Sequence, residues 1–258
     1  MAKNHSIFVY QLNNMFTLLR KEINAFFSSL SGYVVIVVFL LANSLFIWVF
    51  PGELNVLDSG YADLETLFII APWVFLFLIP AITMRLFADE KRTGTLELLF
   101  TKPLGDLQII LGKYFAGLTL VLLSLLPTLV YFASVWYLGN PVGNIDVGGF
   151  WGSYIGLFFL AAIYVSIGVF TSSFTENQII AFISAMLLSF LLYAGMDYLS
   201  SLPVFQSSNQ WLTGIGINEH YSSMSRGVID SRDIVYFVIV ISLFILFTKF
   251  VLQSRKWK

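Results

Sequence analysis

The sequence predicts an all-helical integral membrane protein with six transmembrane helices. Hydrophobic residues make up 58% of the 258 residues and charged residues only 11%, which is not the composition of a soluble globular domain. Six apolar runs approach the ~20 residues that cross a bilayer core as a helix, and they lack the alternation of barrel strands. The predicted spans are residues 33–50, 67–84, 114–138, 150–170, 179–199 and 234–252. We therefore expect a single membrane domain over residues 1–258.

Residues 6–30, before the first span, predict an amphipathic helix that does not cross the membrane. Val9, Phe16 and Ile23 recur at helical spacing, and polar residues such as Lys21 lie between them. This pattern is typical of a helix that lies in the membrane interface. A cytosolic helix packed on a partner protein is the alternative interpretation.

The segment between the second and third spans, residues 85–113, is too long for a simple tether. It holds nine of the 29 charged residues, whereas helix connections commonly need only about 2–8 residues. The stretch Thr93-Gly94-Thr95 supplies N-cap chemistry, and Glu97 then falls in the first turn of a helix. Pro103 is expected to stop this helix, and Asp106 to cap the one that leads into the third span.

The predicted short helix is apolar, with Leu96, Leu98, Leu99 and Phe100 in succession. It is far too short to span a membrane, so it needs a partner surface if it lies outside the bilayer. By composition alone, an ordinary solvated loop is the alternative.

The order of residues in this segment carries a family resemblance. An Arg is followed by Ala-x-Glu, a basic residue, Gly-Thr, Glu-x-Leu, a Pro and Gly-Lys. The matching residues are Arg85, Ala88, Glu90, Lys91, Gly94, Thr95, Glu97, Leu99, Pro103, Gly112 and Lys113. The segment resembles the cytoplasmic loop of ABC transporter permeases of the second, six-span exporter type.

The resemblance implies that the chain is the permease subunit of an ATP-driven exporter, not itself an enzyme. The loop would form a coupling helix that docks on a separate ABC ATPase subunit, which would bind ATP and Mg. Two permease chains, identical or related, would form the translocation path. The implied coupling residues are Glu90, Gly94, Thr95, Glu97, Leu98, Leu99 and Pro103. The resemblance implies no cofactor on this chain.

The basic residues are distributed unequally between the two sides of the predicted spans. Twelve of the 14 lie in the N-terminal segment, in residues 85–113 and at the C-terminal end; only Arg226 and Arg232 lie on the other side. Because basic residues are enriched in cytoplasmic loops, we expect both termini in the cytoplasm and the chain in the bacterial inner membrane.

The longest loop on the other side, residues 202–233, is rich in apolar and aromatic side chains, including Phe205, Trp211 and Tyr221. Such side chains favour short interfacial or re-entrant helices over a loop in water. The string GINEHYSSMSRGVIDSRDIVYF, residues 216–237, resembles the gliding-motility branch of the same permease family, found in Bacteroidetes. This resemblance implies an auxiliary membrane subunit and a role in gliding or cell-surface assembly.

Catalytic functions find little support in the sequence. Gly112-Lys113 is followed by Tyr114, not the Ser or Thr of a phosphate-binding loop. Asp197 is the one aspartate inside a predicted span, so an aspartyl dyad is excluded. His220 has only Glu219 beside it, which is insufficient for a metal site. The chain has no cysteine for thiolate chemistry.

A secondary transporter is the rival hypothesis. Such a protein usually places ionisable residues deep in its spans, but residues 147–175 contain no acid or base other than tyrosine. A channel or a membrane scaffold without ATP coupling is the remaining alternative.

Overall fold

A computed structural model describes residues 2–101, 104–204, 209–227 and 229–254, except for the side chains of residues 2–14, 209 and 210. Within this part of the chain the protein consists of helices joined by irregular connections. The helices are α1 (Ala2–Phe27), α2 (Leu30–Ser44), α3 (Val56–Ser59), α4 (Glu65–Thr83), α5 (Arg85–Arg92), α6 (Thr95–Phe100), α7 (Asp106–Leu125), α8 (Leu129–Leu138), α9 (Val147–Phe174), α10 (Gln178–Phe190), α11 (Met196–Ser200), α12 (Asn209–Ile215), α13 (Ile217–Met224) and α14 (Ser231–Ser254). The predicted all-α class is confirmed.

Six helical stretches are long and apolar enough to cross a membrane. They are Leu30–Val49, Glu65–Arg92, Asp106–Leu138, Val147–Phe174, Gln178–Ser200 and Ser231–Ser254. Each contains most or all of one predicted span and extends beyond it at one or both ends. The helices are longer than the apolar runs because their backbone hydrogen bonding continues into the residues that flank the runs, most of all where α5 prolongs α4.

Helix α9 is the centre of the bundle and packs against α4, α7, α10 and α14. Small residues permit this close approach, as they do generally between membrane helices. A Cβ atom added at Gly168 would lie 2.0 Å from Oγ1 of Thr83 on α4, and one at Gly117 would lie 3.0 Å from Val165. The absence of charge in residues 147–175 therefore reflects a helix enclosed by other helices.

The connections alternate between two ends of the bundle. We call the end with α1, α5, α6 and residues 175–177 the coupling face, and the end with residues 51–64, 139–146 and 201–230 the distal face. Helix α1 lies against α7 and is not among the six potential spans. It begins and ends earlier than the predicted 6–30. Its Leu18 is buried, whereas Phe16 on the predicted apolar face is 59% exposed.

The apolar segment of the distal face folds into short helices, as predicted, although Phe205 lies outside the described residues. Helix α13 packs on α9, and the hydroxyl of Tyr221 donates a hydrogen bond to the carbonyl oxygen of Phe68 at 2.8 Å. Met224 is fully buried, whereas Trp211 on α12 is 78% exposed. Only part of this apolar segment is therefore covered by the rest of the chain.

Candidate functional site

The segment between the second and third spans is a helix–turn–helix. Helix α5 continues the direction of the second span after a single turn residue, Met84, and α6 follows a reversal at Gly94. Gly94 has φ of +70°, in the left-handed region that glycine adopts without steric cost. The glycine of the motif therefore supplies the backbone reversal between α5 and α6.

One of the two predicted helix caps is confirmed and the other is wrong. The N-cap of α6 is Gly94, within the predicted residues 93–95, while the hydroxyl of Thr93 donates to the carbonyl oxygen of Asp89 at 2.8 Å at the end of α5. Asp106 is the first residue of α7 and not its cap. The cap is Gly105, whose N–H donates to Oε1 of Gln108 at 2.9 Å. At α7 a different local hydrogen bond therefore satisfies the terminus.

Helix α6 has one buried side and one exposed side. Leu96 and Leu99 are 3% and 7% exposed and pack into the body of the protein, whereas Leu98 is 65% exposed. Glu97 is exposed and lies in the first turn, as predicted. The predicted stop Pro103 lies outside the described residues; α6 itself ends at Phe100. A solvated loop would not bury two leucines, so that interpretation of the segment is excluded.

Ser172 of α9 holds the start of α5. Its Oγ accepts hydrogen bonds from the backbone N–H groups of Phe87 and Ala88, at 2.9 and 3.1 Å, and donates to the carbonyl oxygen of Met84 at 3.0 Å. The first four N–H groups of a helix have no partner within the helix. Ser172 therefore caps α5 from another span.

The far end of α5 is also tied to the fourth and fifth spans. The Nζ of Lys91 donates to the carbonyl oxygen of Ser173, and Nε2 of Gln178 donates to a carboxylate oxygen of Asp89. These contacts fix both ends of α5 against α9 and the start of α10.

A group of four charged residues, which we call the charge cluster, joins α1, α5 and α7. It consists of Lys21, Glu22, Glu90 and Lys113. The Nζ of Lys113 donates a hydrogen bond to Oε1 of Glu22 at 2.8 Å. It also forms an ion pair with Oε2 of Glu90 at 2.9 Å, although the angles of this contact are not those of a hydrogen bond. It also donates to the carbonyl oxygen of Leu86. The side chain of Lys113 is fully buried.

The surroundings of the charge cluster stabilise its cations. The Lys113 ammonium lies 5.0 Å from the ring centroid of Phe87, within cation–π range. Lys21, at the exposed edge, donates to Oε1 of Glu90 at 3.0 Å. Partial burial lowers the pKa of Lys21, but the hydrogen bond and charge of Glu90, with the charge of Glu22, raise it above its ordinary value. A buried lysine is stable only when paired in this way.

The structure brings together some of the predicted coupling residues and separates others. Gly94, Thr95, Glu97 and Leu98 are exposed at the coupling face. Glu90 and Leu99 are buried, Glu90 in the charge cluster and Leu99 under α6. The exposed residues are thus available to a partner, and the two buried residues hold the segment in place.

Sequence reasoning missed Glu22 and Ser172. Glu22 is one of several polar residues of an amphipathic helix, and serine is common in membrane spans. Neither residue therefore stands out in the sequence. Lys113 was included only as part of the motif. Its position about two turns inside the helix that begins at Asp106 was a signal that a buried acidic partner is required, although the sequence did not show which one.

His220 and Asp197, to which the sequence analysis assigned no function, both make structural contacts. The Nδ1 of His220 lies 2.7 Å from Oδ1 of Asp233, and its ring stacks on Tyr236 at 3.8 Å. Among the described residues there is no group of three or more potential metal ligands. Asp197 lies at the end of the fifth span and accepts a hydrogen bond from Asn218 at 2.7 Å.

Six membrane helices with a helical segment anchored at one face define a multi-pass membrane subunit with a surface for a partner. The chain belongs to the ABC-2 family of transporter proteins, since the family model matches residues 9–247. Members of this family are the transmembrane subunits of ABC transporters, are not themselves catalytic, and in general work with an ABC ATPase. No curated protein matches the chain.

Proposed function

We propose that α6 is the contact through which a separate ATPase drives this permease. The observation that carries the proposal is the division of α6 into an anchored and an exposed side. Leu96 and Leu99 fix the helix to the body, while Leu98 and Glu97 project from the coupling face. An exposed leucine beside a carboxylate, on a rigidly held helix, suits a protein–protein contact.

The contacts of α5 support a route from α6 to the spans. Helix α5 continues α4, is capped by Ser172 of α9, and is joined through Glu90 to Lys113 of α7 and Lys21 of α1. A displacement of α6 would therefore be transmitted to the second, third and fourth spans and to α1 together. Closure of the ATPase on ATP and Mg would supply that displacement.

Glu97 tests this contact. As a residue of its own helix terminus it contributes about 0.3–1 kcal/mol to stability, whereas loss of one partner of a desolvated charge pair costs about 2–5 kcal/mol of binding. We therefore expect Glu97→Gln to change the thermal melt of the permease only slightly and to weaken ATPase binding at least about tenfold. Glu97→Arg is expected to weaken it further.

The measurement is the affinity of the purified ATPase for the permease in nanodiscs. Glu53→Gln on the distal face is the matched control and is expected to bind as the parent does. Parental affinity of both Glu97 variants would reduce Glu97 to a helix-terminus residue.

We further propose that the coupling face is cytoplasmic and that the chain resides in the bacterial inner membrane with both termini inside. The distribution of basic residues, 12 against two, supports this orientation. The chain has no native cysteine, so an introduced cysteine is the only thiol of this chain that a maleimide can label. A membrane-impermeant maleimide is expected to label Ser201→Cys in intact cells and Thr101→Cys only after permeabilisation. The reverse labelling pattern would contradict the orientation.

The cellular role that we propose is export linked to gliding motility or cell-surface assembly. The support is the likeness of residues 216–237 to the gliding-motility branch. The working complex would contain this chain, a second permease chain, the ATPase and an auxiliary membrane subunit of the gliding type. Purification of the chain under mild detergent from its native host should recover these partners; recovery of the chain without an ATPase would speak for a transporter, channel or scaffold that is not coupled to ATP.

A further inference from the structure

A cavity opens at the distal face, remote from α6 and the charge cluster. It has a volume of 840 Å³ and lies between the distal ends of α4, α9, α11 and α13. Small-molecule sites commonly have volumes of about 300–1,000 Å³. Protein interiors otherwise leave few voids larger than a water molecule. The cavity has the size of a ligand site and takes no part in the proposed coupling.

The floor of the cavity is aromatic and rigid. Phe68, Phe150, Tyr193 and Tyr221 line it and are each less than 8% exposed. The Tyr221 hydroxyl is tied to the carbonyl oxygen of Phe68, and Trp73 meets the Tyr193 ring edge-on with centroids 5.7 Å apart. These rings are held by their neighbours before any ligand arrives.

The lining is rich in carboxyl groups. It includes Asp63, Glu65, Asp146 and Asp197 but only one basic residue, Arg226. In the part of the chain that the structure describes, none of the four carboxylates has a basic side chain within 4 Å. The cavity therefore has an excess of acidic groups that the protein itself does not pair.

Three of these carboxylates each use one oxygen for a structural hydrogen bond. Asp146 accepts from the N–H of Gly149 at 3.0 Å, Asp63 accepts from the N–H of Glu65, and Asp197 accepts from Asn218. Among the described residues, no donor reaches the second oxygen of any of the three. Their positions are thus fixed, and one oxygen of each is available to a ligand.

A buried hydroxyl behind the floor also lacks a partner. Tyr164 is fully buried, its OH has no hydrogen-bond partner among the described residues, and its ring meets that of Tyr193 edge-on at 6.4 Å. Buried polar groups are rarely left unsatisfied, and an exception calls for an explanation. A water molecule or a polar ligand group that reaches past Tyr193 would provide a partner.

We propose that this cavity binds an organic cation, with an ammonium group on an apolar body. Ammonium groups are attracted both to carboxylates and to the faces of Trp and Tyr rings. Here the buried aromatic floor would take the apolar body. Asp197, one turn beyond Tyr193 on the same span, would face the charge. The proposal goes beyond the coupling function because it assigns a ligand class to the distal face.

The test uses benzyltrimethylammonium as the probe and neopentylbenzene as its neutral isostere. Equilibrium dialysis measures probe bound to the purified chain in phosphatidylcholine nanodiscs, with empty nanodiscs subtracted and no ATPase present. Asp197→Asn removes the charge and keeps an oxygen for Asn218, and it is expected to weaken binding of the cation at least fivefold. Glu53→Gln, on the same face but outside this cavity, is the matched control and is expected to bind normally.

Ser222→Trp, which fills the cavity from α13, is expected to abolish binding. Should Asp197→Asn fail to fold, Glu65→Gln at the exposed mouth carries the same expectation. The proposal is overturned if the parent binds no more cation than empty nanodiscs do, if the neutral isostere binds equally well, or if the cavity variants bind like the parent. Because the ATPase is absent, such a failure would leave the coupling proposal intact.

Discussion

Replacing Lys113 with methionine is expected to destabilise the protein more than any other single substitution at the charge cluster or in α5. The variant removes the fully buried cation and leaves the carboxylates of Glu22 and Glu90, which are 12% and 11% exposed, without their main partner. Removing one partner of a buried ion pair typically costs about 3–5 kcal/mol. The free energy of unfolding, measured by titration with a denaturing detergent in mixed micelles, is expected to fall by that amount.

Two further variants distinguish the contribution of the buried Lys113 from that of Lys21 at the exposed edge of the charge cluster. Lys21→Met removes a lysine whose side chain is 59% exposed, and it should cost less than about 1 kcal/mol. Adding Glu22→Gln and Glu90→Gln to Lys113→Met should recover part of the loss, because no unpaired charge then stays buried. Equal losses for Lys113→Met and Lys21→Met would show that the charge cluster is not a buried structural centre.

Ser172→Ala is expected to have the second largest effect. The variant leaves the N–H groups of Phe87 and Ala88 without an acceptor, and both residues are fully buried. An unsatisfied buried donor costs about 1–3 kcal/mol, so a total loss of at least about 2 kcal/mol is expected. Hydrogen exchange at these two amides should also accelerate, because the start of α5 loses its attachment to α9.

Ser134→Ala provides the control for this variant. The Ser134 hydroxyl donates to the carbonyl oxygen of Val130 in its own helix, so its removal leaves no buried donor unpaired. It is expected to change stability by less than about 0.5 kcal/mol. Slow exchange at Phe87 and Ala88 in Ser172→Ala would mean that another group caps α5.

The spans could be predicted because the composition of each short stretch of sequence is enough to identify them. An apolar run of about 20 residues has few alternatives to a membrane helix, and most or all of each run lies in a helix long and apolar enough to cross a membrane. Helix α6 of the coupling face was also predicted, since its apolar residues need a covered surface, whereas α5 and the reversal at Gly94 were not. The assignment of Asp106 as the cap of α7 failed because Gly105 and Gln108 offer an alternative local hydrogen bond, and sequence does not rank the two.

The charge cluster could not be predicted because its members are far apart in the chain. Glu22 and Lys113 are 91 residues apart, and only the packing of α1 on α7 brings them together. The same holds for Ser172 and the start of α5, 85 residues away. The distal cavity is formed by four separate helices, and its lining residues look like ordinary loop or span residues in the sequence. It could therefore not be predicted either.

The affinity of the ATPase for Leu98→Asp tests the central claim most directly. Leu98 is 65% exposed on α6, and Leu57 on α3 of the distal face is 62% exposed, so the two leucines are matched in exposure and differ in location. A carboxylate placed in an apolar contact is expected to weaken ATPase binding at least about tenfold. Leu57→Asp is expected to bind the ATPase like the parent, with both variants melting as the parent does. Parental affinity of Leu98→Asp would contradict the assignment of α6 as the coupling helix.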